Sequence, residues 1–470
     1  MSISLKNLIA FLVVYGAALN AIDLPQFYRA PFFQESFNTA YDKYQTGLSI
    51  RYGHGDTRKA WNAHDDSRPL LSSYGYMDIT NLGTYVNSPD TVIDTKNNKT
   101  MIGYWGGANY DPNTSPTPIF PPNYTKANAK DGLIAYRGHF EINEWDFTVQ
   151  QDIFWGFFVQ AYIPYRDVKI DKIAFKNLGS EVLIGQDKAK THVDVNAFMN
   201  TKDGTLNNVL SAMNFGPWQK RFKKSGIGDL LISAGWHGAG DPQSPIVKRL
   251  SGYAQFGVLI PTSGKQDLSK PFSVPFGSEN STAIDGRLGL YVQVFDFIGV
   301  GATAGGLVFF TQERDLRVKT DKKQAGWILL EPSYGKVDYG PQWDVCAYVQ
   351  LGFKGLIAKI GGSYLHQEDT VLTIHDGKLL KNYVQQQMNQ WNPFNNVWPN
   401  IVSVNEIVNS DQKLKNWEYY TLHLVGGYTL ELKSICPTIL VEYDYPFYGK
   451  RTFKTDMLGG TLSLQIKFKF

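Results

Sequence analysis

The sequence predicts an all-β fold, a transmembrane antiparallel β-barrel of about twelve strands (ten to fourteen) with long extracellular loops. The first observation is the stretch 459–470, in which apolar side chains alternate strictly with polar ones. Its apolar members are Leu462, Leu464, Ile466, Phe468 and Phe470. A strand places successive side chains on opposite faces, so one face of this segment is wholly apolar. The second observation is that eleven further segments repeat this alternation, and the third is that short and long connections between them alternate.

The composition supports a large β-protein and excludes several classes. The 470 residues carry a formal charge of only +3, with 43% hydrophobic and 19% charged residues, which excludes overall disorder and gives no support for nucleic-acid binding. There are 44 glycines and two cysteines. We expect no disulfide between Cys346 and Cys436, because they fall at different heights of the predicted barrel.

The N-terminal segment reads as a secretory signal peptide over residues 1–21. Lys6 precedes the apolar run 8–18, which is too short to span a membrane as a helix, and small residues follow it. A buried first helix is the alternative. Residues 22–44 are aromatic without a clear period and are assigned to a periplasmic tail or plug, and residues 45–470 to the barrel.

Twelve strands follow from the two-residue period. They are predicted at 45–52, 136–149, 157–165, 229–237, 251–261, 287–295, 300–310, 343–351, 356–364, 420–428, 439–445 and 459–470. The connections after the even-numbered strands are short, and most of those after the odd-numbered strands are long, including 54–133 and the polar stretch 166–225. Short periplasmic turns and long outer loops are the asymmetry expected of outer-membrane barrels.

Polar side chains on the inward parity are the candidate functional residues. A soluble core does not bury such groups without partners, whereas a barrel lumen accommodates them. The candidates for the lumen and solute path are Gln293, Gln350, Lys359, His423, Glu442 and Asp444. His423, Glu442 and Asp444 also suit an acid/base cluster on neighbouring strands, but ordinary lumen polarity is the simpler interpretation.

Motifs for catalysis or cofactor binding are missing or misplaced. Residues 299–304 imitate a dinucleotide fingerprint, but a strand pattern rather than a helix follows them. The sequence contains no His-Glu-x-x-His, Cys-x-x-Cys or Gly-x-Ser-x-Gly. We therefore expect no enzymatic activity, no catalytic residue, no cofactor and no metal.

Two blocks carry a resemblance to a known family. Residues 147–165 end in Ala-Tyr-Ile-Pro-Tyr, and residues 225–264 begin with Ser-Gly-Ile-Gly-Asp-Leu and end with Val-Leu-Ile-Pro-Thr-Ser-Gly. They resemble the outer-membrane family named for meta-pathway phenol degradation, within the superfamily of fatty-acid and aromatic-hydrocarbon transporters. That family pairs a Gly-x-Gly-Asp strand with a strand ending in Pro-Thr-Gly, which Ser263 interrupts here.

The resemblance implies passive uptake of small hydrophobic or aromatic solutes across the outer membrane of a Gram-negative bacterium. The terminal strand also resembles the signal read by the barrel-assembly machinery, with Leu464, Ile466, Phe468 and Phe470 as its residues. The expected partners are outer-membrane lipid, that machinery and a small-molecule solute, with the barrel a monomer. A plugged structural or adhesive surface protein, a barrel enzyme and a secreted soluble β-protein remain as alternatives.

Overall fold

The computed structural model describes residues 44–78, 133–179, 182–184, 191–193, 210, 215–216, 219–275, 277–319, 325–329, 331–376, 403–432 and 434–468. The predicted signal peptide, the tail 22–44 except its last residue, most of the loop 54–133 and Phe470 lie outside this part of the chain.

Strands dominate the described residues. In chain order they are β1 (Tyr44–Thr57), β2 (Lys59–Trp61), β3 (Ser67–Pro69), β4 (Met77–Asp78), β5 (Leu133–Phe154), β6 (Phe157–Asn177), β7 (Val182–Ile184), β8 (Thr191–Val193), β9 (Phe222–Ile227), β10 (Leu230–Gly240), β11 (Val247–Ile260), β12 (Ala283–Val294), β13 (Ile298–Phe309), β14 (Gln312–Val318), β15 (Glu331–Asp338), β16 (Gln342–Phe353), β17 (Leu356–Gln367), β18 (Val371–Asp376), β19 (Trp417–Thr429), β20 (Ile435–Lys450) and β21 (Asp456–Phe468). One short helix, α1 (Val404–Asn409), and 3-10 turns at Leu70–Ser72 and Gln412–Leu414 accompany them.

Twelve strands close into an antiparallel barrel. Each pairs with the next in the order β1, β5, β6, β10, β11, β12, β13, β16, β17, β19, β20 and β21. Strand β21 then returns to β1 in a continuous register from Tyr44↔Phe468 to Asp56↔Asp456. Each of these twelve strands overlaps one of the predicted strands, so the predicted count is confirmed. Closure matters because it pairs the backbone groups of every strand and leaves no open edge.

The two ends of the barrel differ in their connections. At one end, called the turn end, two-residue turns join β5 to β6 and β16 to β17. Both turns place a residue and then a glycine at positive φ, as Trp155-Gly156 and Lys354-Gly355 do, which is the backbone of tight hairpins. The other end, called the loop end, carries longer connections, except that only residues 451–455 join β20 to β21.

The long hairpin of β5 and β6 exchanges the polarity of its two faces along its length. Near the turn end the outward side chains are apolar, up to Trp145 on β5 and Tyr165 on β6. Beyond them the outward positions turn polar, while Phe140 and Ile170 point inward and are fully buried. The polar stretch assigned to 166–225 was therefore wrong at both ends, since β6 continues to Asn177 and β9 begins at Phe222. The two-residue period persists there, but the apolar face is the inner one.

A continuous apolar band covers the outside of the barrel. Large apolar side chains point outward and are among the most exposed, including Phe256 at 60%, Leu462 at 58% and Val441 at 59%. A water-soluble monomer rarely exposes so many contiguous apolar side chains, whereas lipid requires them. The described helices include none with the length and apolar character that a membrane span needs. The chain is a transmembrane β-barrel, as predicted.

Loop elements pack an apolar cap onto the loop end of the barrel. Strands β14, β15 and β18 form a separate three-stranded sheet, beside which α1 packs. Buried side chains of these loops meet inward side chains from the ends of the barrel strands. The cap consists of Tyr162, Leu231, Leu259, Ala283, Leu307 and Phe309 from the barrel, with Leu316, Val318, Val337, Tyr339, Leu372, Ile407, Val408 and Leu414 from the loops.

Both cysteines are buried and free, so the expectation that no disulfide joins Cys346 and Cys436 is confirmed. The fold therefore depends on backbone pairing and packing rather than on covalent cross-links within the described residues.

The apolar band predicts a position-dependent response to charge. Leu290 is 54% exposed on the lipid face, so Leu290→Arg places a guanidinium in lipid. We expect this substitution to lower the free energy of unfolding by about 2–4 kcal/mol. Urea titration of the barrel in lipid vesicles measures this change. Thr373→Arg, on the exposed face of β18 in the loop sheet, is the matched control and should stay within about 0.5 kcal/mol. Equal effects of the two substitutions would contradict the assignment of the outer surface.

Candidate functional site in the barrel lumen

An arginine on the inner face of β1 gathers four carboxylates inside the lumen. The Nε atom of Arg51 lies 2.5 Å from Glu442 Oε1, and its terminal nitrogens lie 3.0 Å from Asp146, 3.6 Å from Glu144 and 3.5 Å from Asp444. The carboxylates come from β5 on one side of β1 and from β20 on the other. Buried charges need such partners, because an unpaired buried ion costs several kcal/mol. That cost is comparable with the whole free energy of unfolding of a typical domain.

Glycines on the inner face allow Arg51 to reach β20 across the intervening strand β21. Gly53 of β1 pairs with Gly459 of β21, which in turn pairs with Glu442 of β20. A Cβ atom at Gly459 would approach the Glu442 side chain to 3.1 Å, and one at Gly53 would lie 3.5 Å from the guanidinium. The absent side chains thus leave the space through which the ion pair forms.

The charged network continues along β5 and β6. Arg166 donates from Nε to Glu144 at 2.5 Å, and the hydroxyl of Tyr162 donates to Asp146 at 2.8 Å. Both donors are buried, at 4% and 7% exposure. With Arg51 included, two guanidinium groups face four carboxylates, a formal charge of −2 with His423 neutral. The lumen at this level is therefore negative.

His423 joins the same network on β19. Its Nδ1 lies 2.6 Å from Asp444 Oδ1, and its Nε2 lies 2.7 Å from the hydroxyl of Ser363 on β17. The structure thus brings together three of the predicted lumen residues, His423, Glu442 and Asp444, through Arg51 and direct contact.

The other predicted lumen residues lie elsewhere on the inner wall. Lys359 pairs in register with Gln350, and its ammonium lies 5.4 Å from the centre of the Tyr348 ring. Gln293 lies at the turn end, where its amide donates to the carbonyl of Asp296 at 3.2 Å. Lys359 is buried, whereas the two glutamines are half-buried. Whether any of the six contacts a solute stays a prediction.

A second ion-pair cluster lies on the strands opposite. Arg287 on β12 donates to both oxygens of Asp344 on β16, at 3.2 and 3.3 Å, and lies 3.3 Å from Asp285. Gln255 on β11 completes the cluster through Asp285, with 3.4 Å between amide and carboxylate. All four side chains are at most 8% exposed.

Tyrosines lie flat on glycines around the same wall. The rings of Tyr253, Tyr291 and Tyr348 occupy the space above Gly289, Gly299 and Gly301 on neighbouring strands, where a Cβ atom would collide with each ring. Aromatic rings placed against strand glycines restore packing that the glycines lack. This arrangement keeps the rings along the wall rather than across the lumen.

Sequence reasoning overlooked the charged residues at the centre of both clusters. Arg51 is the clearest case, because it lies between two outward side chains, Ile50 and Tyr52, and parity alone places it inside. The others are Glu144, Asp146, Arg166, Asp285, Arg287 and Asp344. The pairing of these charges across strands follows from register, which the sequence does not give.

A small cavity lies within the apolar cap at the loop end. Its volume is about 90 Å³, and its apolar lining consists of Phe215, Leu268, Leu316, Val318, Trp327, Leu329, Leu372, Val408 and Leu414 with prolines 271 and 275. Polar and charged side chains complete the wall, among them Arg314, Arg317, Lys319, Lys413, Asp315 and Asp411.

The cations of this cavity are held by protein groups. Arg314 pairs with Glu279, and Lys413 donates to the carbonyl of Trp327 at 2.7 Å. The Arg317 guanidinium lies 3.5 Å from the centre of the Phe215 ring, and burial lowers the pKa of Arg317 to about 10. Arg317 is still charged at neutral pH, so the cavity offers aromatic and apolar surface with fixed positive groups beside it.

Comparisons with known proteins find similarity of structure only. No family model and no curated protein matches the chain. A COG4313 outer membrane channel from Pseudomonas putida F1 is 7% identical with a TM-score of 0.46, over 93% of this chain and 100% of that one. A FadL homologue from Pseudomonas aeruginosa is 9% identical with a TM-score of 0.26, over 97% and 100%. The CymD monoaromatic hydrocarbon channel is 9% identical with a TM-score of 0.27, over 92% and 90%.

Outer-membrane channels, including a monoaromatic hydrocarbon channel, are thus among the similar structures, in line with the resemblance noted in the sequence. Because these TM-scores are below 0.5, the similarities carry no argument about function.

The Arg51 cluster makes a stability prediction. Arg51→Met leaves four carboxylates around an apolar side chain and should lower the free energy of unfolding by about 3–5 kcal/mol. The shift of the urea midpoint in detergent micelles or lipid vesicles measures this loss. Arg51→Lys keeps the charge but lacks the planar guanidinium group, and it should lower the free energy of unfolding by clearly less. A wild-type midpoint for Arg51→Met would show that the ion pairs are not formed.

Proposed function

We propose that the protein is an outer-membrane channel for passive uptake of small, hydrophobic or aromatic solutes. The observation that carries this proposal is the cavity in the cap, whose apolar and aromatic surface has charged side chains beside it and which lies above a closed barrel with a polar lumen. Pockets lined mainly by apolar and aromatic side chains, with a few polar groups, accept small ligands whose surface is largely apolar. A solute that leaves water for such a cavity is selected by its apolar surface rather than by hydrogen bonds.

The lumen below the cap supports passage of neutral rather than anionic solutes. The Arg51 cluster carries a formal charge of −2, and its four carboxylates belong to two walls of the lumen. Like charge in a narrow, poorly screened space repels an anion. We therefore propose that the barrel conducts cations in preference to anions when ions cross it.

The location and assembly of the protein belong to the same proposal. Its outer apolar band suits lipid, and we propose that it reaches the outer membrane through the general secretory route and works there as a monomer. In this proposal, the outward side chains of Leu464, Ile466 and Phe468 on β21 form the signal that the barrel-assembly machinery reads. Phe470, the fourth residue of that signal, lies outside the described residues.

A second candidate is a structural or adhesive surface protein with a plugged barrel. The apolar cap favours it, because buried side chains of the loops meet those of six inward barrel positions at the mouth. A cap without a path past it would block solutes and leave the loops for contact with partners.

Solute uptake by reconstituted vesicles separates these two functions. Vesicles that contain the protein should take up a neutral aromatic alcohol faster than protein-free vesicles, which give the rate of unaided crossing. Trp327→Ala removes an aromatic wall of the cavity and should slow aromatic uptake severalfold. Tyr334→Ala, which truncates an exposed aromatic residue of the loop sheet, should leave uptake unchanged. Uptake at the protein-free rate would favour the plugged surface protein.

Ion selectivity in planar bilayers tests the role of the lumen charges. Glu442→Gln combined with Asp444→Asn removes both carboxylates of β20, so the cluster charge becomes zero. The preference for cations should then fall, as judged by the reversal potential in a salt gradient. Glu406→Gln, on the exposed part of α1, is the control and should not change the reversal potential. An unchanged value in the double variant would mean that Glu442 and Asp444 do not line a conducting path.

A further inference from the structure

A serine, a histidine and an aspartate form an unbroken hydrogen-bond chain on the lumen wall. Ser363 of β17, His423 of β19 and Asp444 of β20 occupy the inner faces of three consecutive strands. The Ser363 Oγ atom lies 2.7 Å from His423 Nε2, and His423 Nδ1 lies 2.6 Å from Asp444 Oδ1. Each ring nitrogen of the histidine therefore faces a different partner.

For a neutral imidazole, the chemistry of the partners fixes the direction of these hydrogen bonds. An ionised carboxylate only accepts, so Asp444 holds the imidazole proton on Nδ1. The lone pair of Nε2 then faces the hydroxyl of Ser363, which donates to it. This is the arrangement in which a histidine acts as a general base toward a serine and an aspartate fixes its tautomer.

The surroundings of the three residues complete the arrangement. The guanidinium of Arg51 lies 3.5 Å from Asp444, so the aspartate has an opposite charge beside it as well as the histidine. His423 and Asp444 are buried, whereas Ser363 is half-buried. The histidine and the aspartate are thus shielded from solvent, and the serine is the most exposed member of the chain.

A cation lies on the same inner face as the serine. Lys359 and Ser363 are four residues apart on β17, and Gly361 between them carries no side chain. The Lys359 ammonium lies over the ring of Tyr348, the residue that pairs with Gly361. Lys359 thus adds a positive charge to the inner face of β17, about 13 Å along the strand from Ser363.

We propose that Ser363 is a nucleophile, activated by His423 and Asp444, that hydrolyses small neutral esters entering the lumen. The Ser363 oxygen forms a bond to the ester carbonyl carbon while its proton passes to His423 Nε2. The carbon–oxygen bond to the alcohol breaks, and His423 returns the proton to the departing alkoxide. Water then attacks the acyl-serine by the same proton route, which releases the carboxylic acid and restores the hydroxyl.

The charge of the lumen suits this substrate class. A neutral ester meets no electrostatic barrier at the Arg51 cluster, whereas the carboxylate product is repelled by it. This inference departs from the expectation of no enzymatic activity. The three residues form no local sequence motif, because they stand 60 and 21 positions apart.

Covalent labelling with diisopropyl fluorophosphate tests the nucleophile directly. The reagent forms a phosphorus–oxygen bond with an activated serine and releases fluoride, and peptide mass spectrometry locates the label. We expect Ser363 of the folded, detergent-solubilised protein to be labelled. Labelling should disappear in Ser363→Ala and slow by about 10²-fold or more in His423→Gln. Ser233→Ala removes another buried serine on the inner wall and should leave the rate unchanged.

Two controls make a negative result decisive. Unboiled and boiled samples of each variant run on a denaturing gel show whether the barrel has folded, since a folded barrel migrates differently. Ser363→Cys exposed to a small methanethiosulfonate reports access to this position. If the cysteine reacts but wild-type Ser363 is not labelled, the serine is not activated. If neither reacts, no substrate reaches the site, and either result overturns the proposal.

Discussion

Barrel closure is the constraint on which the rest of this structure depends. Once β21 pairs with β1, every inward side chain faces a confined space, and a charge there must find a partner on another strand. Arg51 meets this requirement for carboxylates of both neighbouring walls. On the opposite side, Arg287 does so for Asp344 of β16 and also contacts Asp285 of its own strand. The charges in turn fix the register of the strands, because a shift by one residue would send them to the lipid face.

Glycine and tyrosine determine how these charges and rings fit inside. Gly53 and Gly459 open the route between Arg51 and Glu442, and three tyrosine rings cover glycines of neighbouring strands. The wall is consequently uneven at the level of single side chains. Short residues and broad rings therefore share the inner wall beside the polar network.

The polarity exchange along β5 and β6 links the membrane part of the protein to its loops. Between the turn end and the level of Trp145 and Tyr165, the outer face of this hairpin is apolar. From that level to the loop end, the inner face is the apolar one. The upper part of this hairpin therefore buries apolar side chains on its inner face, as a soluble β-protein does, and the cap is another buried apolar cluster at the loop end. A solute meets an apolar layer first and a polar layer second, and this order supports the selection of small apolar molecules proposed here.

The sequence by itself determined the strands, because lipid outside and polar side chains inside impose a two-residue period that local reading detects. It also determined the number of strands, the short turns and the inward parity of residues such as His423 and Asp444. The sequence did not predict the part of β6 beyond Tyr165, where the inner face rather than the outer face is apolar. A loop and a strand of this kind both have many polar residues, so local sequence does not distinguish them.

Only the tertiary structure decided which inward residues meet. Ser363 faces His423, and Arg51 reaches Glu442 across β21, through pairings between positions 60 and 391 residues apart. Such contacts depend on strand order, register and the space left by glycines, none of which is a local property of the chain. The candidate site is therefore a product of barrel closure, although the alternation of the sequence had already placed His423, Glu442 and Asp444 on the inner face.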